Sequence, residues 1–129
     1  NDFGGRLNEN ISEIVSIITD GKYNDVKLDE NMHISVFDDD HYMPIEFLSS
    51  GTIEQIHLAV RLCIAGLLCK DRMPIIVDDI FTAYDEHRLK NALYCMSRID
   101  TDQVIIFTSN NAIGDMLDDL SMEHNYVEL

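Results

Sequence analysis

Basic residues are scarce in this sequence. Nine lysines and arginines stand against 24 aspartates and glutamates, a net charge of −15 with histidine neutral. A surface this acidic argues against holding nucleic acid unaided, because phosphate binding needs Lys and Arg to displace counterions. It also argues against an anionic membrane surface. Cysteine is sparse too. Cys63, Cys69 and Cys95 are odd in number and show no C-x-x-C spacing. That argues against a disulfide scaffold or a structural zinc site and points to a reducing, cytoplasmic compartment. No apolar run reaches the roughly 18 residues of a membrane span, and the first residues carry no signal-peptide pattern. No membrane partner is expected. Neither G-x-S-x-G nor G-x-x-x-x-G-K-S/T occurs. The one Gly-Lys step, Gly21-Lys22, runs into Tyr23 and lacks the upstream glycine.

What is present fits one globular domain: 129 residues, 46% apolar and 26% charged, with no internal repeat and no linker. The opening Asn1-Asp2-Phe3-Gly4-Gly5 reads as a cut in a longer protein. Leu7, Ile11, Ile14, Val15 and Ile18 recur at three- and four-residue spacing, which predicts an amphipathic helix stopped at Asp20-Gly21. Such a helix either packs on a sheet or ends a coiled coil arriving from elsewhere; so few heptads fit both. Residues 25–47 read as short strands separated by Asp/Asn turns, a β-meander. The Asp38–Asp40 run reads as a solvated turn. A calcium loop would need Glu at its twelfth position, which falls on Ser49 counted from Asp38 and on Gly51 counted from Asp40.

From Thr52 to Lys70 the chain predicts a long, mostly buried helix. Ile53, Ile56, Ala59, Val60, Cys63, Ile64, Leu67 and Leu68 form its apolar face, and Glu54, His57 and Arg61 a narrow polar stripe. Pro74 to Asp79 and Gln103 to Phe107 read as buried strands. Residues 86–99 and 113–120 read as helices, and Tyr126 to Leu129 as a last strand. The fold class is α/β: a mostly parallel sheet with flanking helices, plus a small N-terminal meander.

Four constellations carry chemistry. Leu48-Ser49-Ser50-Gly51-Thr52-Ile53-Glu54-Gln55 places small hydroxyl residues and a glycine before a long helix, an arrangement suited to phosphate. Thr52 and Gln55 also fit a capping box, so an ordinary helix cap accounts for the motif taken alone. Asp78 and Asp79 end a strand where open α/β sheets bind ligands; one acid can hold Mg²⁺ and the other can activate water. In Ala83-Tyr84-Asp85-Glu86-His87-Arg88, Asp85 fits a helix cap. Thr108-Ser109-Asn110 gives a second strand a polar tip. The five histidines are scattered with no metal-ligand spacing and read mostly as surface residues, and the cysteines read as core.

The order and spacing of these four motifs resemble the C-terminal half of an ABC-type ATPase head, above all the SMC-like DNA-repair ATPases of the RecN, SbcC and YhaN type. Residues 48–55, continuing into Leu58-Ala59-Val60-Arg61-Leu62, resemble that family's signature motif and helix. Ile75 to Asp79 resemble its Walker B strand, Tyr84-Asp85 its D-loop, and Val104 to Asn110 its H-loop strand. The resemblance implies a division into residues 1–21, the end of a returning coiled coil, and residues 22–129, the C-terminal ATPase lobe. It implies ATP and Mg²⁺ as cofactors. Asp78 would act on the Mg²⁺, and Asp79, where most ABC heads have Glu, on the attacking water. Ser49, Ser50, Gly51 and Thr52 would meet the ATP of a second head, Ser50 replacing the first glycine of the usual pair. Asp85 would communicate across the dimer, and Asn110 would stand where the family usually has His. The Walker A loop is missing, so the resemblance implies an N-terminal lobe of the same polypeptide as partner and a fragment inactive alone. A second head in a homodimer would complete the site. DNA repair or chromosome maintenance would be the purpose, with DNA reached through other parts of the full protein. Two other classes compete. A catalytically dead relative would use the same face only for docking. A receiver-type signalling domain shares the acidic pair but needs an Asp at a later strand tip and a Lys after it, and neither is present.

Overall fold

The computed structural model describes residues 2–69, 71–79, 81 and 84–129. Asn1, Lys70 at the end of the expected long helix, and Ala83 at the head of the third motif lie outside the described residues.

Helix α1 (Asp2–Ile18) turns its apolar spacing into a packed face. Ile11, Val15 and Ile18 are fully buried, while Phe3 to Arg6 are exposed. The helix packs on α2 (Ser50–Leu68), α3 (Glu86–Ser97) and strand β1 (Val26–Leu28). It ends at Asp20-Gly21 as expected, in a Schellman motif. The Gly21 N–H donates to the Ser16 carbonyl at 2.7 Å and the Asp20 N–H to that of Ile17 at 3.3 Å. Asp20 (φ 55°) and Gly21 (φ 78°) are both left-handed.

The expected meander forms. Strands β1, β2 (Ile34–Asp38) and β3 (His41–Pro44) pair antiparallel in that order. Asp29 Oδ1 accepts the N–H groups of Asn31 and His33, both at 2.8 Å, and so shapes the first turn. Asp39, at φ 55°, turns β2 into β3, a conformation that Asp tolerates. β1 is an edge strand, yet two of its N–H groups have partners on α1. Val26 donates to Ser12 Oγ at 2.9 Å and Leu28 to Asn8 Oδ1 at 3.1 Å. Asn8 and Ser12 lie four residues apart on α1, a rise of about 6 Å. Val26 and Leu28 lie two strand residues apart, about 6.7 Å. The two spacings match, so α1 stands in for a fourth strand and closes that edge.

A 3₁₀ turn, Ile45–Phe47, leads into α2. By length and composition this helix is apolar enough to cross a bilayer, which corrects the reading that no such run exists. Here it is a core helix, burying Ile56, Leu58, Ala59, Val60, Leu62 and Cys63. Its far end is less covered, and Leu68 is exposed. Cys95 on α3 is buried like Cys63, and Cys69 is half-buried.

Strands β4 (Ile75–Asp78) and β5 (Val104–Phe107) pair in parallel, Ile75 opposite Val104 and Asp78 opposite Phe107. Ile75, Val77, Val104 and Ile106 face the core. Ile76 and Phe107 lie on the opposite face, 63% and 47% exposed. The expectation of strands buried on both faces is thereby corrected. Among the described residues the parallel sheet has two strands, and helices cover one side of it only. Helix α4 (Ile113–Asp119) buries Ile113 and Met116. The last expected strand does not form. Tyr126 to Leu129 are exposed and pair with no strand among the described residues.

Candidate functional site

The candidate residues gather in two places. The first is the C-terminal end of the β4–β5 pair. Asp78 closes β4, exposed. The Asp79 N–H donates to the Phe107 carbonyl at 2.8 Å, carrying the ladder one residue further. Asp79 itself is left-handed, at φ 48°, a conformation that costs a non-glycine residue about 1–3 kcal/mol and collects at functional turns. Its Oδ1 accepts a long hydrogen bond, 3.4 Å, from Ser109 Oγ. The Thr108-Ser109-Asn110 tip is a run of side-chain turns. The Asn110 N–H donates to Thr108 Oγ1 at 3.0 Å, and Asn110 Oδ1 accepts the Ala112 N–H at 2.9 Å. That local bond uses the side-chain oxygen of Asn110 to lead the chain into α4.

Among the described residues no group of three or more His, Cys, Asp or Glu side chains could cage a metal ion. Asp78 and Asp79 therefore fit Mg²⁺ only in the mode where phosphates and water supply most ligands. Such a cation would also relieve the repulsion between two adjacent carboxylates.

The second place is the start of α2. Ser49 is its N-cap. Ser49 Oγ accepts the Thr52 N–H at 3.3 Å and lies 2.8 Å from Thr52 Oγ1. This corrects the capping box placed at Thr52 and Gln55: the helix starts three residues earlier, and Gln55 faces inward. The first helical residues are Ser50 and Gly51, whose N–H groups have no acceptor within the helix, as phosphate binding requires. The Arg88 guanidinium, from the first turn of α3, lies so close to Gly51 that any Cβ there would collide with it. Glycine permits that approach, and a larger residue would have to displace the flexible end of the Arg88 side chain. Asp85 is the N-cap of α3, its Oδ1 accepting the Arg88 N–H at 2.8 Å. Thr52 and Asp85 line one groove of about 510 Å³ beside the end of α1. Burial pushes the neighbouring Tyr84 phenol up to about 12, so this ring, packed on Phe81, is no acid or base at neutral pH.

Thus the fold sets Asp78 and Asp79 beside the Thr108–Asn110 tip, where Ser109 is the residue that touches Asp79, and Thr52 in one groove with Asp85. Among the described residues no hydrogen bond or ion pair links the two groups. Three further side chains belong here: Arg88 and Asn91, given no role from the sequence, and Gln55, read there only as a capping-box partner. Gln55 carried a readable signal, since it lies three, four and seven residues before Leu58, Ala59 and Leu62, on the apolar side of α2.

No family model matches the sequence. The chain is 29% identical over 116 residues to the uncharacterized protein YhaN of Bacillus subtilis, a match covering 85% of this chain and 12% of YhaN. It is 38% identical over 72 residues to the uncharacterized protein Rv1278 of Mycobacterium tuberculosis, covering 54% of this chain and 8% of that protein. Among solved structures it resembles the SMC head domain from Thermotoga maritima, with a TM-score of 0.66 and 16% identity over 86% of this chain and 40% of that one. A structure from work on ATP-driven dimerization and DNA-stimulated activation of SMC ATPases aligns with a TM-score of 0.69 and 21% identity, covering 91% of this chain and 75% of that one. The chain has the fold of an SMC-like ATPase head lobe: mixed α/β, with a small antiparallel sheet and a parallel one.

Proposed function

We propose that this chain is the C-terminal lobe of an SMC-like ATPase head and works only in a complete two-lobe head. The observation that carries this reading is the fold, which aligns with SMC heads over 86% and 91% of the chain; the placing of the candidate residues on two elements, the end of β4 and the start of α2, supports it. A single self-contained site would need them together. A nucleotide clamp needs them apart, with acids for the ATP on its own head and a helix start for the ATP on a partner head. Asp78 would hold the Mg²⁺ side of ATP, and Asp79 would orient and deprotonate water. Ser49 to Thr52 would meet the γ-phosphate from the second head, and Asp85 would carry the dimer contact. ATP with Mg²⁺ supplies the phosphoryl group and its charge neutralisation when bound.

The uncovered face of β4–β5, with Ile76 and Phe107 beside Asp78, suits a sheet continued by the N-terminal lobe of the same polypeptide, which would bring the Walker A loop. Residues 1–21 would be the end of a coiled coil returning to the head and residues 22–129 the lobe, with the second half of α1, Ile11 to Ile18, docked into the lobe's core. DNA repair or chromosome maintenance in the cytoplasm would be the setting. The charge of −15 leaves DNA contact to other parts of the protein.

A second reading, ATP-dependent docking without turnover, is favoured by one observation. Asn110 stands where these heads usually carry His and cannot take a positive charge; with its side-chain oxygen bonded to the Ala112 N–H, it has only its amide N–H groups to offer a phosphate. One pair of variants of the full-length protein separates the readings. Asp79→Asn lowers turnover about 10²- to 10⁴-fold, as removal of a general base does, while ATP-bound dimers accumulate. Ser50→Arg, which leaves the Ser49 cap in place, blocks dimerisation without unfolding the lobe. Dimers with no hydrolysis in the wild type would select the docking reading. Unchanged turnover in Asp79→Asn removes that residue from its role.

A further inference from the structure

Gln55 is the one polar residue among the described residues whose side chain is buried with the core; it is 3% exposed. Its place follows from the carbonyl groups at the end of α1. The Val15 carbonyl accepts the Thr19 N–H, and the Schellman motif takes those of Ser16 and Ile17. The Ile18 carbonyl is left over. Gln55 Nε2 donates to it at 2.8 Å from the first turns of α2, and Asn91 Nδ2 donates to it at 3.3 Å from α3. Asn91 Nδ2 also reaches Asp20 Oδ1 at 3.1 Å, and His87 Nε2 lies 2.6 Å from Asp20 Oδ2. The end of α1 is therefore held by the two helices whose starts carry Ser49–Thr52 and Asp85.

We propose that Gln55 and Asn91 are positioning residues that fix the first turns of α2 and α3 to the end of α1, so that the angle of α1 sets how well Ser49–Thr52 can engage a nucleotide on a second head. Gln55 lies three residues past Thr52, within one turn, so a shift of Ile18 moves the helix start with it. Without the amide, the same core volume packs but the Ile18 carbonyl keeps only Asn91. The helix start is then free to sit in more than one orientation. Neither residue touches Asp78 or Asp79, so binding of ATP by the head's own lobes is untouched.

This rests on the reading above, and its test is kept distinguishable from a failure of that reading. In the full-length protein, Gln55→Met preserves the buried volume and removes the donor. Two quantities are measured well below the melting temperature: ATP affinity under conditions that keep the protein monomeric, and the ATP concentration for half-maximal dimerisation. Gln55→Met is expected to leave the first unchanged and to raise the second about tenfold, the worth of one buried hydrogen bond. Asn91→Ala, at a half-buried position, shifts it the same way by less, and stands in if Gln55→Met fails to fold. A Gln55→Met protein that melts lower yet dimerises like wild type makes the residue merely structural and overturns the proposal. A wild type that neither binds ATP nor dimerises with it removes the reading and this inference together.

Discussion

The meander and the parallel pair are built from the same kinds of residue, yet this chain completes only one of them. In the meander, Val26 and Val36 are buried, and the outward N–H groups of β1 find Ser12 and Asn8. In the pair, Val77 is buried while its neighbour Ile76 lies open beside Asp78. An antiparallel sheet joined by short turns can be finished by a helix just before it in sequence. A parallel sheet is normally covered on both faces, and among the described residues this one has helices on one. The difference separates what the lobe needs in order to fold from what it keeps for contact.

The sharpest way to break this contrast is to place one charge in each sheet. Val36→Asp puts an unpaired carboxylate in the closed sheet and should cost more than about 4 kcal/mol, enough to unfold so small a lobe. Ile76→Asp falls on the open face and should cost only about 1–2 kcal/mol, from lost strand propensity and the nearby Asp78. Urea unfolding followed by circular dichroism reads both. Equal losses would mean that β4–β5 is covered in solution and that the contrast is false.

The closed part was the more legible from sequence. Apolar spacing from Leu7 to Ile18 and the Asp20-Gly21 stop mark α1 closely, because one face of a helix and its cap are local properties. The Asp29–Asn31 and Asp38–Asp40 turns were equally readable. The open part was not. Ile75 to Val77 carry the same β-branched signature whether one face is covered or two, and only the surrounding elements decide that. Tyr126 to Leu129 have strand-like residues but no partner strand among the described residues. At the candidate site, Ser49, Asp78, Asp79 and Asp85 could be named from motif order. Their support could not, because the bond from Gln55 to Ile18 spans 37 residues and the capping-box pattern offered Gln55 a closer partner. The approach of Arg88 to Gly51 is long-range in the same way.

A smaller effect tests how the meander is closed. Asn8→Ala and Ser12→Ala each remove an acceptor for a β1 N–H and should each cost about 1 kcal/mol, read as a lower urea midpoint with unchanged slope. The double variant exposes an unpaired strand edge and should self-associate in light scattering at high concentration. If both singles match wild type, water serves the edge as well as α1 does, and the closure is incidental.

The gentlest test changes no residue at all. Cys63 and Cys95 lie behind the closed region, Cys95 Sγ within 3.9 Å of the Ile14 carbonyl. Burial pushes the Cys63 thiol up to about 11 and that of Cys95 up to about 12. At pH 8 the reactive thiolate is then roughly a thousandth of Cys63 and less of Cys95, before access is counted. Cys69, at the looser end of α2, is half-buried. Ellman's reagent should therefore titrate one thiol quickly in the folded lobe and the other two only at the rate of unfolding. Raising the pH to 9 should hardly speed the slow pair, because unfolding and not thiolate formation limits them. Rapid modification of two thiols would show that the closed region opens far more readily than its packing implies, and the contrast between the two sheets would lose its physical basis.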